Sequence, residues 1–229
     1  RVLDKYERRQ TNLANAVVSP SFVLAGYVSL TWRIAPGRIS VLPNPIDTDL
    51  FSPADVKKKD ENEILYVGRL QRYKGALHLT EAVKPLLKQY PNLKVRFIGM
   101  DIRSKNGDLT SDKIYAIIPA QYHSRISFNG HIPAADIISF QRNALCTVVP
   151  TQNFESFSYT VLEAMSCGCP VIAAYCGGPA EIITNEVDGL LVPPAETWTL
   201  TTALRKLIEN PQLREKLASQ ARKTAEERF

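Results

Sequence analysis

Cysteine, histidine, methionine and tryptophan are scarce in this sequence, at four, three, two and two of 229 residues. The cysteines are Cys146, Cys167, Cys169 and Cys176. Cys167-Gly-Cys169 lacks the two-residue spacer of a zinc or redox pair, and no histidine follows at ligand spacing. Small buried thiols in a reducing cytoplasm are the expectation. No Asp or Glu stands out as a triad partner for His78, His123 or His131, which gives Ser-His-Asp chemistry little support. No apolar run approaches ~18 residues, so a transmembrane helix is excluded. Internal repeats and low-complexity segments are also missing. The chain opens at Arg1 with neither an initiator Met nor a signal-peptide pattern, as expected of a piece of a longer chain.

What is present describes a globular α/β protein. Hydrophobic residues make up 45% and charged residues 22%, and 229 residues give room for one large domain or one domain plus part of another. The net charge of +5 suits an anionic ligand or an acidic membrane surface. It is too small and too scattered to point to nucleic acid.

Strand and helix patterns alternate along the chain. VLDKYERRQTNLANA has a helical period, AVVSPS reads as a short strand and turn, FVLAGYVSLTWRI as a helix, and RISVLPNPIDTDLF as a strand with a Pro-Asn-Pro turn. Ser52 to Glu63 reads as a linker with a solvated lysine run. A strand follows at Ile64 to Val67, then a loop from Gly68 and a helix from about Gly75. Leu93 to Gly99 reads as a buried strand. The helix over SDKIYAIIPAQY is expected to be capped by Ser111 or Asp112 and ended or kinked at Pro119. Arg125 to Pro133 reads as a strand and turn, AADIISFQRNA as a helix, and LCTVV as a strand closed by Pro150. Two amphipathic helices flank Asn210-Pro211. This rhythm predicts an open parallel sheet.

Two places carry candidate chemistry. Glu155 and Glu163 sit eight positions apart, across the break between a loop and an apolar helix expected to start near Ser158. Glu163 would lie about 7–8 Å along that helix. The free N–H groups of Ser158, Tyr159 and Thr160 would favour an anion between the carboxylates. A ligand with a central diphosphate and hydroxyl-bearing groups at both ends has that layout; the plain alternative is two solvated glutamates. The second place is the loop after Val67. Gly68-Arg69 and Lys74-Gly75 would set two cations over one strand end, or leave ordinary surface residues, with Arg72 solvated.

The stretch ESFSYTVLEAMSCGCPVIA resembles the glutamate-pair signature of the retaining nucleotide-sugar glycosyltransferases of the GT-B fold, family four. Gly68-Arg69 with Lys74-Gly75 is similar to that family's G-R-x4-K-G element, and Pro43, Asn44, Pro45 and Asp47 through Phe51 to its interdomain crossing. The family often has glycines where Ser156 and Ser158 stand here. GGPAEII and DGLLVPP resemble its next strand-turn-helix and its closing strand. Gly177 and Gly178 then either admit a sugar or phosphate or serve only the turn.

The resemblance implies a Rossmann-like parallel sheet with helices on both faces, one half of a GT-B fold. It implies four parts: residues 1–51 as the end of an N-terminal acceptor domain and crossing, 52–63 as a linker, 64–212 as the donor domain, and 213–229 as a helix returning towards the first domain. The implied activity is hexosyl transfer from a nucleotide-diphosphate sugar with retention, without a metal or other cofactor. Arg69, Lys74 and Glu155 would be catalytic. Gly68, Arg69, Lys74, His131, Ile132, Glu155, Ser156, Phe157, Ser158, Tyr159 and Glu163 would hold the donor, with Glu155 at the sugar and Glu163 at the ribose. Backbone atoms of Gly130, His131 and Ile132 would carry the base; His131 would stack on it or simply occupy the turn. The acceptor, a glycan, lipid or small molecule, would need the missing N-terminal domain, so this piece alone would not transfer. The full protein would be cytoplasmic, with peripheral association at the inner face of a membrane in view and no nucleic-acid partner. Two other readings stay open: a non-catalytic nucleotide-sugar binding module, and another GT-B enzyme such as an epimerase.

Overall fold

A computed structural model of the protein describes residues 2–54, 60–103 and 106–229. The first unit comprises helix α1 (Val2–Leu13), strand β1 (Val17–Ser19), helix α2 (Phe22–Trp32) and strand β2 (Ile39–Val41). β1 and β2 pair in parallel.

The larger unit contains strands β3 (Asp60–Val67), β4 (Lys94–Ile98), β5 (Ile126–Phe128), β6 (Ala144–Val149), β7 (Val171–Ala174) and β8 (Leu190–Val192). They form one sheet in the order β5-β4-β3-β6-β7-β8, with every pairing parallel. This is the expected α/β, Rossmann-like architecture. All six residues of β6 and all four of β7 are buried, because helices cover both faces and leave no polar side.

One face buries α3 (Ala76–Gln89), α4 (Thr110–Ile117) and α8 (Thr197–Glu209) around Leu79, Val83, Leu86, Ile114, Leu204 and Leu207. The other buries α5 (Ala134–Asn143), α6 (Tyr159–Ser166), the short α7 (Pro179–Ile182) and much of α9 (Pro211–Arg228) around Val161, Leu162, Met165, Ile182, Ala221 and Ala225. Asn210 ends the gap between α8 and α9 by accepting from the Leu213 amide at 2.9 Å, as a cap residue should.

Several local expectations need correction. β3 begins at Asp60, not Ile64: Asp60 already pairs with Ala144, so the polar residues before Ile64 belong to the sheet. Residues 55–59 of the expected linker lie outside the described residues. α4 is not capped by Ser111 or Asp112. The Asp101 carboxylate reaches over from the end of β4 and accepts from the amides of Thr110 (2.9 Å) and Ser111 (3.0 Å). The strand and turn expected over Arg125 to Pro133 are found: β5 covers Ile126–Phe128, and Gly130 turns the chain at a φ of +63°.

The strand order turns outward in both directions from the β3–β6 pair. β4 follows β3 on one side, and β7 follows β6 on the other. Such a reversal leaves a crevice beyond the carboxyl ends of those two strands.

Candidate functional site

A cavity of about 230 Å³ occupies that crevice. Tyr66, Val67 and Gly68 line it from the end of β3, and Val149, Pro150 and Thr151 from the end of β6. Lys74, Glu155 and Phe157 through Thr160 complete the wall. The sequence therefore brought Gly68, Lys74, Glu155, Phe157, Ser158 and Tyr159 to one place.

Two glycines make this convergence possible. Gly75 has a φ of +82°, and a Cβ there would stand 1.9 Å from the Pro150 carbonyl oxygen. The loop bearing Lys74 can thus press against the end of β6, where the Gln152 amide donates to Tyr73 O at 2.8 Å. Gly177, at φ +78°, would place a Cβ 2.1 Å from Glu155 O, and the Gly178 amide donates to that same oxygen at 2.7 Å. Beside the two roles left open by the sequence, Gly177 and Gly178 have a third: a close approach to the backbone of the Glu155 loop.

Lys74 Nζ donates to Glu155 Oε2 at 2.5 Å, with the two side chains 24% and 17% exposed. Thr151 Oγ1 donates to the same carboxylate oxygen at 3.4 Å. α6 starts where the sequence placed it. Ser158 is its N-cap and accepts from the Val161 amide at 3.5 Å, so the first-turn amides of Tyr159 and Thr160 face the cavity end of the helix. Like any helix start, this end carries partial positive charge.

Other expected residues lie outside the cavity wall. Arg69 is exposed and donates through Nη2 to the Tyr73 hydroxyl at 2.8 Å. Glu163 sits one turn into α6, half-buried, and its carboxylate has no hydrogen bond or ion pair among the described residues. Burial pushes its carboxyl above the usual range. Ser156 is exposed, and His131 lies exposed in the turn after β5. Ile132 packs with the hydrophobic cluster of the α6 face; Phe157 joins that cluster from within the wall, where its ring meets Tyr159 edge-on at 5.8 Å.

Two contributors escaped the sequence reading. Tyr66 looks like one more apolar strand residue, yet its hydroxyl donates to Arg69 O at 2.9 Å and lies 3.4 Å from Lys74 O. It thereby ties down the loop that carries both cations. Burial, with Tyr73 and Glu155 nearby, raises its pKa far enough to keep it a donor. Thr151 gave no signal either, since a threonine after a strand is ordinary.

Cys146, Cys167 and Cys169 are buried and Cys176 is half-buried; none of the four is in a disulfide. Burial foremost, then the Glu155 charge, pushes Cys176 up to about 11 against the pull of Lys74. An Asp-x-Asp does occur, at Asp47-Thr48-Asp49, but Asp47 spends its carboxylate on the amides of Asp49 (3.1 Å) and Leu50 (2.9 Å). Among the described residues no group of three His, Cys, Asp or Glu side chains is gathered to hold a metal, and no helix is long and apolar enough to cross a membrane.

A family profile described as "Glycosyl transferases group 1" matches residues 47–224, more than half of the chain. The chain belongs to the glycosyl transferases group 1 family. D-inositol 3-phosphate glycosyltransferase of Thermobifida fusca (strain YX) is 27% identical over 199 residues, covering 81% of this chain and 45% of that protein. The chain spans about half the length of the curated relatives it matches. HepE of Anabaena, solved in complex with UDP and glucose, superposes with a TM-score of 0.83 at 22% identity, over 96% of this chain and 60% of that one. The C-terminal domain of LpcC, a glycosyl transferase group 1 family protein of Francisella tularensis, gives a TM-score of 0.70 at 27% identity, over 80% of this chain and 97% of that one. The fold of this group 1 chain is thus the α/β fold of the GT-B glycosyltransferases.

Proposed function

We propose that this chain is the donor-binding half of a retaining glycosyltransferase of family four, moving a hexosyl group from a nucleoside-diphosphate sugar. The observation that carries this reading is the crevice between β3 and β6. There the Lys74 ammonium, the Glu155 carboxylate and the first-turn amides of α6 meet in one cavity. Relatives in complex with UDP and glucose agree with a nucleotide-sugar donor.

In this reading the diphosphate lies on the α6 amides and Lys74, with Arg69 swinging in from Tyr73. Fixed cations stabilise the charge that develops on a leaving diphosphate, so no metal is required. Lys74 has three donors and can hold Glu155 while it serves the diphosphate. Glu155 stands at the sugar end, where a carboxylate accepts from sugar hydroxyls and stabilises positive charge at the anomeric carbon. Glu163 takes the ribose hydroxyls. Its desolvated carboxylate without a protein partner is costly in the empty site, and ligand hydroxyls would offset that cost. Gly130, His131 and Ile132 would contact the base. The acceptor is held by the remainder of the full-length protein, working in the cytoplasm, where the basic balance suits the inner face of a membrane. Without that remainder the chain binds donor but does not transfer, because positioning the acceptor supplies about 7–11 kcal/mol.

Calorimetry with UDP, GDP and ADP and their sugars tests the reading. One of the nucleotides should bind, and at ~100 times its Kd should stabilise the fold by about 2.7 kcal/mol. No binding of any of them at millimolar concentration would end it.

A further inference from the structure

Helix α2 belongs to the first unit and buries none of its own side chains, yet its N-terminus is fully satisfied. The four amides that a helix start leaves without intrahelical partners are all accounted for. Phe22 N donates to Glu181 Oε2 at 2.8 Å and Val23 N to Glu181 Oε1 at 2.6 Å. Leu24 N donates to Ser21 Oγ at 3.2 Å, and Ser21 N to Ser19 Oγ at 3.4 Å. Two of these four thus depend on a carboxylate from α7, at the far side of the sequence.

Two independent contacts join the same pieces. The buried Ser21 hydroxyl, while accepting from Leu24, donates to Ser156 O at 2.7 Å. The Tyr27 ring lies 5.4 Å from that of Phe154. All three contacts land on Phe154, Ser156 and Glu181, around the loop that carries Glu155. That loop is held from its other side by the Gly178 amide on Glu155 O, and α7 is pinned by Arg228, which donates to Glu181 O at 2.8 Å and Ile182 O at 3.2 Å.

We propose that Glu181 and Ser21 form a latch coupling the β1–α2 unit to the Glu155 loop, which makes Glu181 a positioning residue that sets the first unit against the sugar-end carboxylate. The physical basis is a carboxylate on the positive end of a helix, backed by a hydroxyl that donates and accepts at once. What the loop acts on rests on the function proposed above; the coupling itself does not.

Amide exchange by NMR, with UDP as the binding probe, separates the outcomes. In Glu181→Ala the Phe22 and Val23 amides should exchange about tenfold faster, as for loss of a good helix cap. Glu181→Gln, which keeps one acceptor, should lie between. The Gly178 amide, which reads the Glu155 carbonyl across the latch, should also speed up in Glu181→Ala. It should do so again in Ser21→Ala, which spares the carboxylate cap and leaves Phe22 and Val23 protected. UDP affinity should stay within about twofold, because no latch residue lines the cavity. Unchanged Gly178 exchange in both variants would reduce Glu181 to a helix cap and overturn the proposal. A parallel loss of UDP affinity would overturn it too, by assigning Glu181 to the nucleotide. If the unaltered chain fails to bind UDP, the functional reading suffers while the exchange pattern still decides the latch.

Discussion

Gly177→Ala probes how tightly the Glu155 loop is held. The added Cβ would stand 2.1 Å from Glu155 O, 3.0 Å from its carbonyl carbon and 3.1 Å from its nitrogen. Real Cβ contacts essentially stop at 3.0 Å, so the loop must retreat by about 0.9 Å, the gap between 2.1 and 3.0 Å. The backbone cannot relax into a better conformation on its own, because φ is +78°. A non-glycine residue in the left-handed region costs about 1–2 kcal/mol, and overpacking adds about 1–3 kcal/mol. The sum is a destabilisation of about 2–5 kcal/mol. At about 2–4 °C per kcal/mol for a chain of this size, differential scanning fluorimetry should show Tm falling by about 4–20 °C. In the full-length protein, displacing a reacting group by about 1 Å can cost about 100-fold in rate. Transfer should therefore fall further than UDP affinity, which in the proposed reading leans on Lys74, the α6 amides and Glu163. A Tm within about 2 °C of the parent, with transfer intact, would show that the close approach of Gly177 does not hold the loop.

Three further outcomes are expected. Glu163→Gln should stabilise the empty fold near pH 7 yet weaken nucleotide binding by about 1–3 kcal/mol. Burial raises its folded-state pKa above the unfolded value, so wild-type stability is lost as pH rises through that interval; the Tm difference should close below about pH 4, and a constant difference across a pH series would refute the account. His78 is buried against α8, with Nδ1 3.3 Å from the Thr197 hydroxyl and Nε2 without a partner among the described residues, and burial lowers its pKa. The unfolded chain then takes up the proton first, so stability should decline as pH falls below about 6.5, and His78→Gln should flatten that decline in fluorimetry. Finally, full-length transferase activity should survive EDTA; activity abolished by the chelator and restored by magnesium or manganese would refute the role given to Arg69 and Lys74.

Much of the molecule was written locally. The apolar run of β6 reads as a buried strand, Ser158 stands where α6 starts, and Asn210-Pro211 divides two helices. Gly68, Lys74 and Glu155, singled out by spacing, do converge on the cavity, whereas Arg69 and Glu163 from the same two elements lie outside its wall. What depended on contacts between distant segments was not written locally. No local pattern says that Asp101 will cap α4, that the Tyr66 hydroxyl will hold the loop after β3, or that Asp60 through Glu63 will extend the sheet. The glycines mark the boundary most clearly. The sequence determined that Gly75 and Gly177 could adopt a positive φ. Only the tertiary structure decided what that freedom was for, because the atoms they make room for belong to Pro150 and Glu155, on other segments of the chain.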